Sequence, residues 1–278
     1  TYINYPSGMP YEYTDMAFGK GVTDYNIISI PLILNNNAIS ATLEEFGEYD
    51  IFKWRFWHYQ TGGSIEYTEG LDNIETGQGY WLITKESQSF NTGAGHTTQV
   101  KKSDPFRIAL SHGWNQIGNP YAFNLSWNDI LQANQADIDK IQGSPLGYSS
   151  AGYQAVTTVS EYRGVFVRAN QAVNLKIPVI KNNSINRTGF IYEADLPSPN
   201  IHSAEWKLGI HMKSGGLTSR LGAIGMSPIA EGGLDREDWY VAPRPSQYLE
   251  MNFSREEDSV KNFARDIVPT QKNFIWEF

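Results

Sequence analysis

The sequence predicts an all-β fold: consecutive antiparallel β modules of the sandwich or jelly-roll type, joined by short helical connectors. Two observations carry this prediction. The 278 residues include 16 Tyr, 13 Phe and 8 Trp but are only 19% charged, and 25 Gly and 13 Pro provide turns. Short apolar runs also recur along the chain between Gly, Asn and Pro residues, whereas helix signals are scarce.

The candidate strands follow one another from Asn26 to the C-terminus. By residue number they are 26–33, 51–59, 79–84, 106–110, 164–168, 172–180, 206–213, 249–253 and 273–278. Apolar residues alternate with others between 206 and 213, which is typical of a half-buried strand with one solvated face. The alternation of Phe274, Trp276 and Phe278 predicts that the chain ends inside a sheet.

Two short helices are expected as connectors, at 42–47 and 126–133. Each begins with Ser or Thr and has an acidic residue three positions later. In this pattern the side chains satisfy the free amide donors at a helix start.

The order of the elements repeats along the chain. Residues 25–31 (YNIISIP) match residues 114–120 (WNQIGNP) in type, and GYWL at 79–82 matches GVFV at 164–167. Together with the Asp-Ile pairs at positions 50 and 137, the offsets are about 89, 87 and 85 residues. This slow drift is what small loop deletions between two copies would produce.

The repeat divides the chain into three predicted modules. We predict a first β module at 1–105, a second at 106–189 that is a diverged repeat of it, and a β-sandwich module at 190–278. The third module shows neither repeated pattern and begins after an Asn/Ser-rich stretch.

Composition excludes several classes of function. The 22 Lys+Arg and 30 Asp+Glu give a net charge of -8, which argues against a protein that follows nucleic-acid phosphates. The absence of cysteine excludes disulfides, thiol nucleophiles, Fe–S clusters and Cys-ligated zinc. We therefore expect no nucleic-acid partner. The longest apolar run, 27–34, is too short to span a bilayer, so we also expect no membrane insertion.

The sequence contains no motif that assigns a catalytic residue, and we do not expect an enzyme. The five histidines lack metal-site spacing, and no GxSxG elbow, P-loop or dinucleotide GxGxxG occurs. A glycoside hydrolase or lyase on a β scaffold stays open as a third option, because its two carboxylates need only meet in space.

The stretch 54–59 (WRFWHY) is the candidate ligand-binding site. Aromatic faces are a natural platform for a sugar ring, which makes Trp54, Trp57 and Tyr59 the candidate residues. In a strand, residues 54, 56 and 58 point one way and residues 55, 57 and 59 the other. One set is expected in a core and the other against an adjacent module, so packing and ligand binding both stay open.

The acidic segment 235–238 (DRED) is the candidate metal site. Oxygen ligands beside a Gly-rich loop suit calcium, which makes Asp235 and Asp238 candidate ligands, although the DxDxDG spacing is missing. The alternative is a loop in which both carboxylates accept nearby backbone amides. Apart from calcium, no cofactor is expected.

Several motifs resemble those of large secreted and surface proteins of the Bacteroidota. GWNQIGNP at 113–120, followed by Trp127, resembles their GWNLIGNP…W signature, and TGQGYW at 76–81 is similar to their pGkGYW strand. FGEYD at 46–50 resembles the segment before that strand, and the third module resembles the β-domain that often follows. The resemblance covers the chain roughly from Tyr25 to its end.

The resemblance implies a non-catalytic extension of a longer polypeptide, exported across the outer membrane by type IX secretion and displayed at the cell surface or released. We therefore expect a structural or adhesive region that contacts other domains of its parent polypeptide and extracellular protein or polysaccharide. The alternative is a carbohydrate-binding module that serves a catalytic domain elsewhere on the polypeptide. Such a module would expose coplanar aromatic rings on one face, drawn from Trp54, Trp57, Tyr59, Trp81 and Trp239.

Overall fold

The computed structural model describes most of the chain. The described residues are 3–11, 25–60, 63–86, 89–99, 101, 103–149, 152–180, 206–215, 217–233, 235, 237–243, 249–254 and 263–276. They form an all-β fold of several mainly antiparallel sheets with few helices, which confirms the predicted fold class. None of the helices in this part of the chain has the length and hydropathy that a bilayer crossing requires.

The first set of strands forms a four-stranded sheet with smaller pairings beside it. Its strands are β1 (Asn4–Tyr5), β2 (Pro10–Tyr11), β3 (Asn26–Ile28), β4 (Ile33–Leu34), β5 (Trp54–Gln60), β6 (Gly63–Glu66), β7 (Tyr80–Thr84), β8 (Phe90–Asn91) and β9 (Gly95–His96). The first sheet has the order β3-β7-β5-β6, β2 pairs with β8, and β9 lies between β1 and β4. Helix α1 (Ile39–Thr42) and a 3-10 helix at Glu44–Phe46 connect β4 to β5.

The second set of strands follows the same plan. Its strands are β10 (Phe106–Leu110), β11 (Gly113–Gly118), β12 (Leu125–Ser126), β13 (Ile141–Ser149), β14 (Gly152–Ala155), β15 (Thr158–Val159), β16 (Gly164–Ala169) and β17 (Val173–Ile177). The second sheet has the order β11-β16-β13-β14, β10 pairs with β17, and β12 pairs with β15. Helix α2 (Trp127–Ala133) and a 3-10 helix at Gln135–Lys140 lead into β13.

The two sheets agree in strand order and in register. The order β3-β7-β5-β6 corresponds to β11-β16-β13-β14, and the outer pair β2-β8 corresponds to β10-β17. Ile27 lies opposite Trp81, as Gln116 lies opposite Phe166. A duplicated module would produce this agreement. The duplication and the division into three modules stay predictions.

The third sheet contains the remaining described strands. These are β18 (Trp206–Ser214), β19 (Leu217–Ser227), β20 (Trp239–Tyr240) and β21 (Phe263–Pro269), in the order β18-β19-β21-β20. Only β19 and β21 run parallel among the described pairs of this sheet. The edge strand β18 exposes Trp206 and Leu208, by 40% and 55%, because the small core of this sheet extends along β18 to Ile210 but does not include them. These two positions are therefore more exposed than the alternation predicted.

Three hydrophobic clusters account for most of the buried apolar side chains. One lies within the first set of strands and one within the second. The third joins all three sheets, and we call it the inter-sheet cluster. Its buried members are Tyr25, Ile27, Trp57, Trp81, Leu146, Tyr148, Tyr153, Ala155, Phe166, Trp239 and Ala242.

Backbone contacts join the first and second sheets reciprocally. Ile28, at the end of β3, forms a β-bridge with Arg163, and Ile117, near the end of β11, forms one with Gln78. By the register above, these are equivalent positions of the two sheets. Reciprocal contacts of this kind are those of a two-fold symmetric dimer, here within one chain. We call these bridges and the hydrogen bonds beside them the junction.

The hydrogen bonds of the junction are reciprocal as well. The Ser29 amide donates to the Tyr162 carbonyl, and the Gly118 amide donates to the Gly77 carbonyl, both at 2.8 Å. Both accepting residues have positive φ, 61° for Tyr162 and 86° for Gly77. Positive φ is uncommon for a residue with a side chain, so the junction imposes the same turn on two different residue types.

The aromatic contacts across the interface repeat this reciprocity. Tyr59 of the first sheet packs edge-on against Phe166, with ring centroids 5.5 Å apart. Tyr148 of the second sheet packs edge-on against Trp81 at 4.9 Å, and Trp81 and Phe166 lie 5.9 Å apart. Edge-to-face pairs at these distances stabilise beyond the area they bury.

One of the two helix-start predictions is confirmed. Helix α2 is capped by Ser126, whose hydroxyl accepts the Asp129 amide at 3.4 Å. Helix α1 ends at Thr42 instead of starting there. Its first amide, that of Ile39, donates to the Asp72 carbonyl at 2.9 Å, so a tertiary contact replaces the side-chain cap.

The prediction of a strand at the end of the chain is wrong for residues 273–276, and residues 277–278 lie outside the described part. The aromatic residues here pack by their rings instead of pairing by their backbone. Trp276 lies 5.7 Å from Trp206 and 4.8 Å from Phe274 between ring centroids. Alternation with a period of two residues indicates only that one side of a segment packs against the protein. In residues 273–276 this packing occurs without a strand.

Substitution of Gly118 tests whether the junction tolerates any side chain. A Cβ at Gly118 would overlap the Gln78 carbonyl oxygen and the Ser29 side chain. Because one of these atoms is backbone, we expect Gly118→Ala to lower the free energy of unfolding by about 1–3 kcal/mol. Urea denaturation measures this. The control is Gly209→Ala on β18, where the nearest atom is 3.9 Å away, and an equal effect of both variants would contradict the junction.

Candidate functional site

The candidate aromatic residues of β5 lie on its two faces, as the alternation predicted. Trp54 is 3% exposed and belongs to the core of the first set of strands, together with Phe56. The Trp54 indole Nε1 donates to the Glu48 carbonyl at 3.4 Å. Its ring stacks on Tyr67 with centroids 5.8 Å apart. Trp54 therefore packs inside the first set of strands.

Trp57 and Tyr59 lie on the opposite face of β5, against the second sheet. Trp57 is 7% exposed, and its ring lies edge-on to Tyr25 at 4.6 Å. Tyr59 is half-buried against Phe166, and its backbone amide donates to Gln116 Oε1 at 2.7 Å. Both residues therefore take part in the inter-sheet packing that was left open as an alternative to ligand binding.

These burials limit what the aromatic residues offer to a ligand. Trp54 and Trp57 present almost no ring surface to solvent, and Trp81 and Trp239 are only 2% and 7% exposed. A flat aromatic platform needs exposed faces. The assignment of Trp54, Trp57 and Tyr59 as ligand-binding residues stays a prediction. Of the three side chains, that of Tyr59 is the most exposed to solvent.

Asp238 organises the loop between β19 and β20 from a buried position. Its side chain has no solvent exposure, and its carboxylate accepts the backbone amides of Ile267 at 2.9 Å and Asp235 at 3.2 Å. Ile267 lies on β21, so this carboxylate ties the loop to the sheet. Hydrogen bonds from backbone amides satisfy a buried carboxylate, which would otherwise be costly to bury.

Asp235 acts in the same way nearer the surface. Its two carboxylate oxygens accept the backbone amides of Glu231 and Glu237, the second at 2.7 Å. Both candidate metal ligands thus make the amide hydrogen bonds that the sequence left as the alternative to calcium. Among the described residues, no group of three or more His, Cys, Asp or Glu side chains could hold a metal ion. Calcium binding at Asp235 and Asp238 stays a prediction.

This loop and β20 attach the third sheet to the second. Gln142 Nε2, on β13, donates to the backbone carbonyls of Asp235 and Asp238, both at 3.1 Å. Trp114 Nε1, on β11, donates to the Val241 carbonyl at 2.8 Å. These side-chain donors satisfy backbone acceptors of the loop, so its shape depends on the second sheet.

A cleft of about 520 Å³ lies where the second and third sheets meet. The residues that line it are His112, Asp139, Gln142, Arg168 and Asn170 from the second set of strands, and Ile229, Glu231, Asp235, Glu237 and Tyr240 from the third sheet. The volume falls within the range of about 300–1,000 Å³ that small-ligand sites occupy. The lining differs from that of most such sites because it is mainly polar.

Arg168 is the buried charge of this cleft. It is 8% exposed, its Nη1 donates to Gln142 Oε1 at 3.1 Å, and its guanidinium carbon lies 3.2 Å from the centre of the Tyr240 ring. Burial lowers the pKa of Arg168 from its ordinary value, an effect that Tyr240 and Tyr59 oppose. The guanidinium still carries its charge at neutral pH, because arginine is not deprotonated in proteins.

Little in the sequence points to this cleft. Its residues come from distant segments, and only tertiary packing brings Arg168 beside Tyr240 and Gln142. One local signal exists, since Arg168 interrupts the otherwise apolar strand GVFVRA, in which every residue is buried. A charged residue inside a fully buried strand is rare without a partner, so it indicates a structural ion pair or a functional site.

Comparison with known proteins supplies no relative. No protein-family model matches the chain, and no match is found among curated proteins or solved structures.

Substitution of Asp238 tests its role in the loop. Asp238→Ala leaves the buried Ile267 amide without its acceptor, so we expect a loss of about 1–3 kcal/mol in the free energy of unfolding. Asp238→Asn retains one carbonyl acceptor and should lose less. Thermal and urea unfolding measure both, with the exposed Glu69→Ala as control.

A calcium titration separates this role from metal binding. If Asp235 and Asp238 bind calcium, adding calcium raises the melting temperature; if they serve only as acceptors for backbone amides, that temperature stays unchanged. A metal that binds only the folded chain must raise that temperature. A rise that disappears in Asp235→Asn would show that Asp235 ligates calcium.

Proposed function

We propose that this chain is a non-catalytic structural and adhesive region of a secreted or cell-surface bacterial protein. In this proposal it forms a rigid unit between other domains of a longer polypeptide and contacts extracellular protein or polysaccharide. The motif resemblance supports the proposal that it is one of the exported extension regions of the Bacteroidota, with type IX secretion as the route.

The observation that carries the proposal is the inter-sheet cluster. Seven of its buried members are aromatic, and within it Trp81 contacts Tyr148, Tyr153 and Phe166 with ring centroids 4.9–6.1 Å apart. Because Trp239 of the third sheet belongs to the same cluster, all three sheets contribute to one shared core in addition to the separate cores of the first and second sets of strands. Interfaces packed like a core restrict motion between modules, which suits a load-bearing or spacing role.

The motif residues support the same proposal, because each one serves the fold. Asn119 Nδ2 donates to the carbonyls of Phe123 and Val159, at 2.8 and 3.0 Å. Asn115 Oδ1 accepts the Ser111 amide at 2.8 Å, which closes the turn between β10 and β11. The GWNQIGNP motif thus encodes a turn, a junction and a contact with the third sheet.

A carbohydrate-binding module is the second candidate, and the polar cleft favours it. Its lining combines a buried guanidinium with carboxylate, amide and imidazole groups, which can donate to and accept from sugar hydroxyls. The aromatic platform expected from Trp54 and Trp57 carries no weight in this candidate, because both rings are buried.

Thermal unfolding tests the structural part of the proposal. Because the sheets share one core, we expect the chain to unfold in a single cooperative transition, with equal calorimetric and van't Hoff enthalpies. Trp81→Ala should lower the free energy of unfolding by about 3–5 kcal/mol and shift that transition as a whole. Phe52→Ala, whose ring is 80% exposed, is the control. Separate transitions for separate segments would contradict the shared core.

Turnover assays test the non-catalytic part. The intact chain should be retained on an immobilised extracellular polysaccharide or matrix protein and should release no product from it. Product formation that is lost when a specific pair of acidic residues is replaced would overturn the proposal. Retention that persists after thermal unfolding would show that it does not depend on the folded chain.

A further inference from the structure

The cleft between the second and third sheets combines a buried guanidinium with several carboxylates. Arg168 is more than nine-tenths buried, and none of the ion pairs among the described residues includes it. Its described partners are the Gln142 amide oxygen and Tyr240, whose ring it covers and with whose hydroxyl it also forms a hydrogen bond. A guanidinium has five N–H donors, so this arrangement leaves donor capacity at the wall of the cleft.

Carboxylates line the more exposed parts of the same cleft. Asp139 and Glu231 are exposed, and Asp235 and Glu237 are half-buried. A strongly anionic ligand would be repelled by these groups, and a purely cationic one would meet the buried charge of Arg168. The lining therefore favours a neutral ligand whose groups both donate and accept hydrogen bonds.

The aromatic ring of the cleft argues for hydrogen bonding over stacking. The Arg168 guanidinium covers one face of Tyr240 at 3.2 Å, and Phe263 lies 5.3 Å away between ring centroids. A sugar ring that stacked on Tyr240 would have to displace the guanidinium. Hydroxyl groups can instead accept from Arg168 and donate to Asp139 or Glu231, because each hydroxyl does both.

We propose that this cleft binds a neutral oligosaccharide through its hydroxyl groups, with Arg168 as the buried donor and Asp139, Glu231 and Asn170 as contacts from the two sides. The inference rests on the proposed adhesive function and names its ligand class and site. The cleft volume of about 520 Å³ suits a short oligosaccharide or one end of a longer chain. Because the ligand is uncharged, salt should have little effect on its binding.

The experiment uses the intact chain on an array of neutral oligosaccharides, followed by titration calorimetry with the best binder. The variant Asn170→Ala/Glu231→Ala removes one exposed side chain from each side of the cleft and should weaken binding at least tenfold, as the loss of hydrogen bonds to a charged group implies. Arg168→Met should abolish binding, but it also removes a packing contact, so the double variant carries the test. Glu69→Ala, exposed on the first set of strands, is the matched control.

The outcomes separate this inference from the proposed function. Binding that both cleft variants retain, or no binding to any neutral oligosaccharide at millimolar concentration, would overturn the inference and leave the structural proposal standing. A preference for basic peptides or amino sugars that vanishes in 0.5 M salt would also overturn it, since the acidic side chains alone would then govern binding. Cleavage of a bound oligosaccharide would support the cleft as the site but overturn the non-catalytic assignment.

Discussion

The close approach of two backbones at the junction is the constraint on which the rest of the structure depends. Gly79 and Gly164 leave no room for side chains there, since a Cβ at Gly79 would lie 2.7 Å from the Ile117 carbonyl oxygen and one at Gly164 3.0 Å from the same atom. The sheets can meet at this distance only because both positions lack a Cβ. The aromatic residues then fill the space on one side. Trp239 enters that same space, so the junction also sets the position of the third sheet.

Tyrosine hydroxyls let this aromatic core include polar backbone without an energetic penalty. Tyr153 is buried within the inter-sheet cluster, and its hydroxyl donates to the Pro243 carbonyl of the third sheet. Burial raises the pKa of Tyr153 well above its ordinary value, so the phenol stays protonated and remains a donor. The same residue therefore supplies apolar area to one interface and a hydrogen bond to another. Phenylalanine at this position would leave the carbonyl without that donor.

In the described part of the chain, the third sheet packs on the second sheet, and the charge pattern of the two sheets gives a physical reason. On the first sheet, Arg55 donates from Nε and Nη2 to the two carboxylate oxygens of Glu66, both at 2.7 Å, and the Tyr49 hydroxyl donates to the same carboxylate. This hydrogen bonding lowers the pKa of Glu66 and keeps the pair ionised. By register, the second sheet has Gln142 and Ala155 where the first has Arg55 and Glu66. On the first sheet, Arg55 and Glu66 satisfy each other in an ion pair. On the second sheet, the Gln142 amide at the equivalent position is able to donate to the loop carbonyls of Asp235 and Asp238.

Local periodicity and turn chemistry predict the all-β class, strands such as β5, β7, β10 and β16, the cap at Ser126 and the opposite orientation of Trp54 and Trp57. They do not predict the long strands β13, β19 and β21, and the strand expected at 249–253 is only a single bridge at Phe253. The sequence also singled out the GWNQIGNP and GQGYW segments, although not that they meet one another. Which aromatic residues lie at the interfaces between sheets depends on the tertiary structure. So does the cleft that brings Arg168 beside Glu231, Asp235 and Glu237, each more than 60 positions away in the sequence. The physical reason is that burial and charge pairing depend on contacts between distant segments. Neither residue type nor spacing along the chain encodes those contacts.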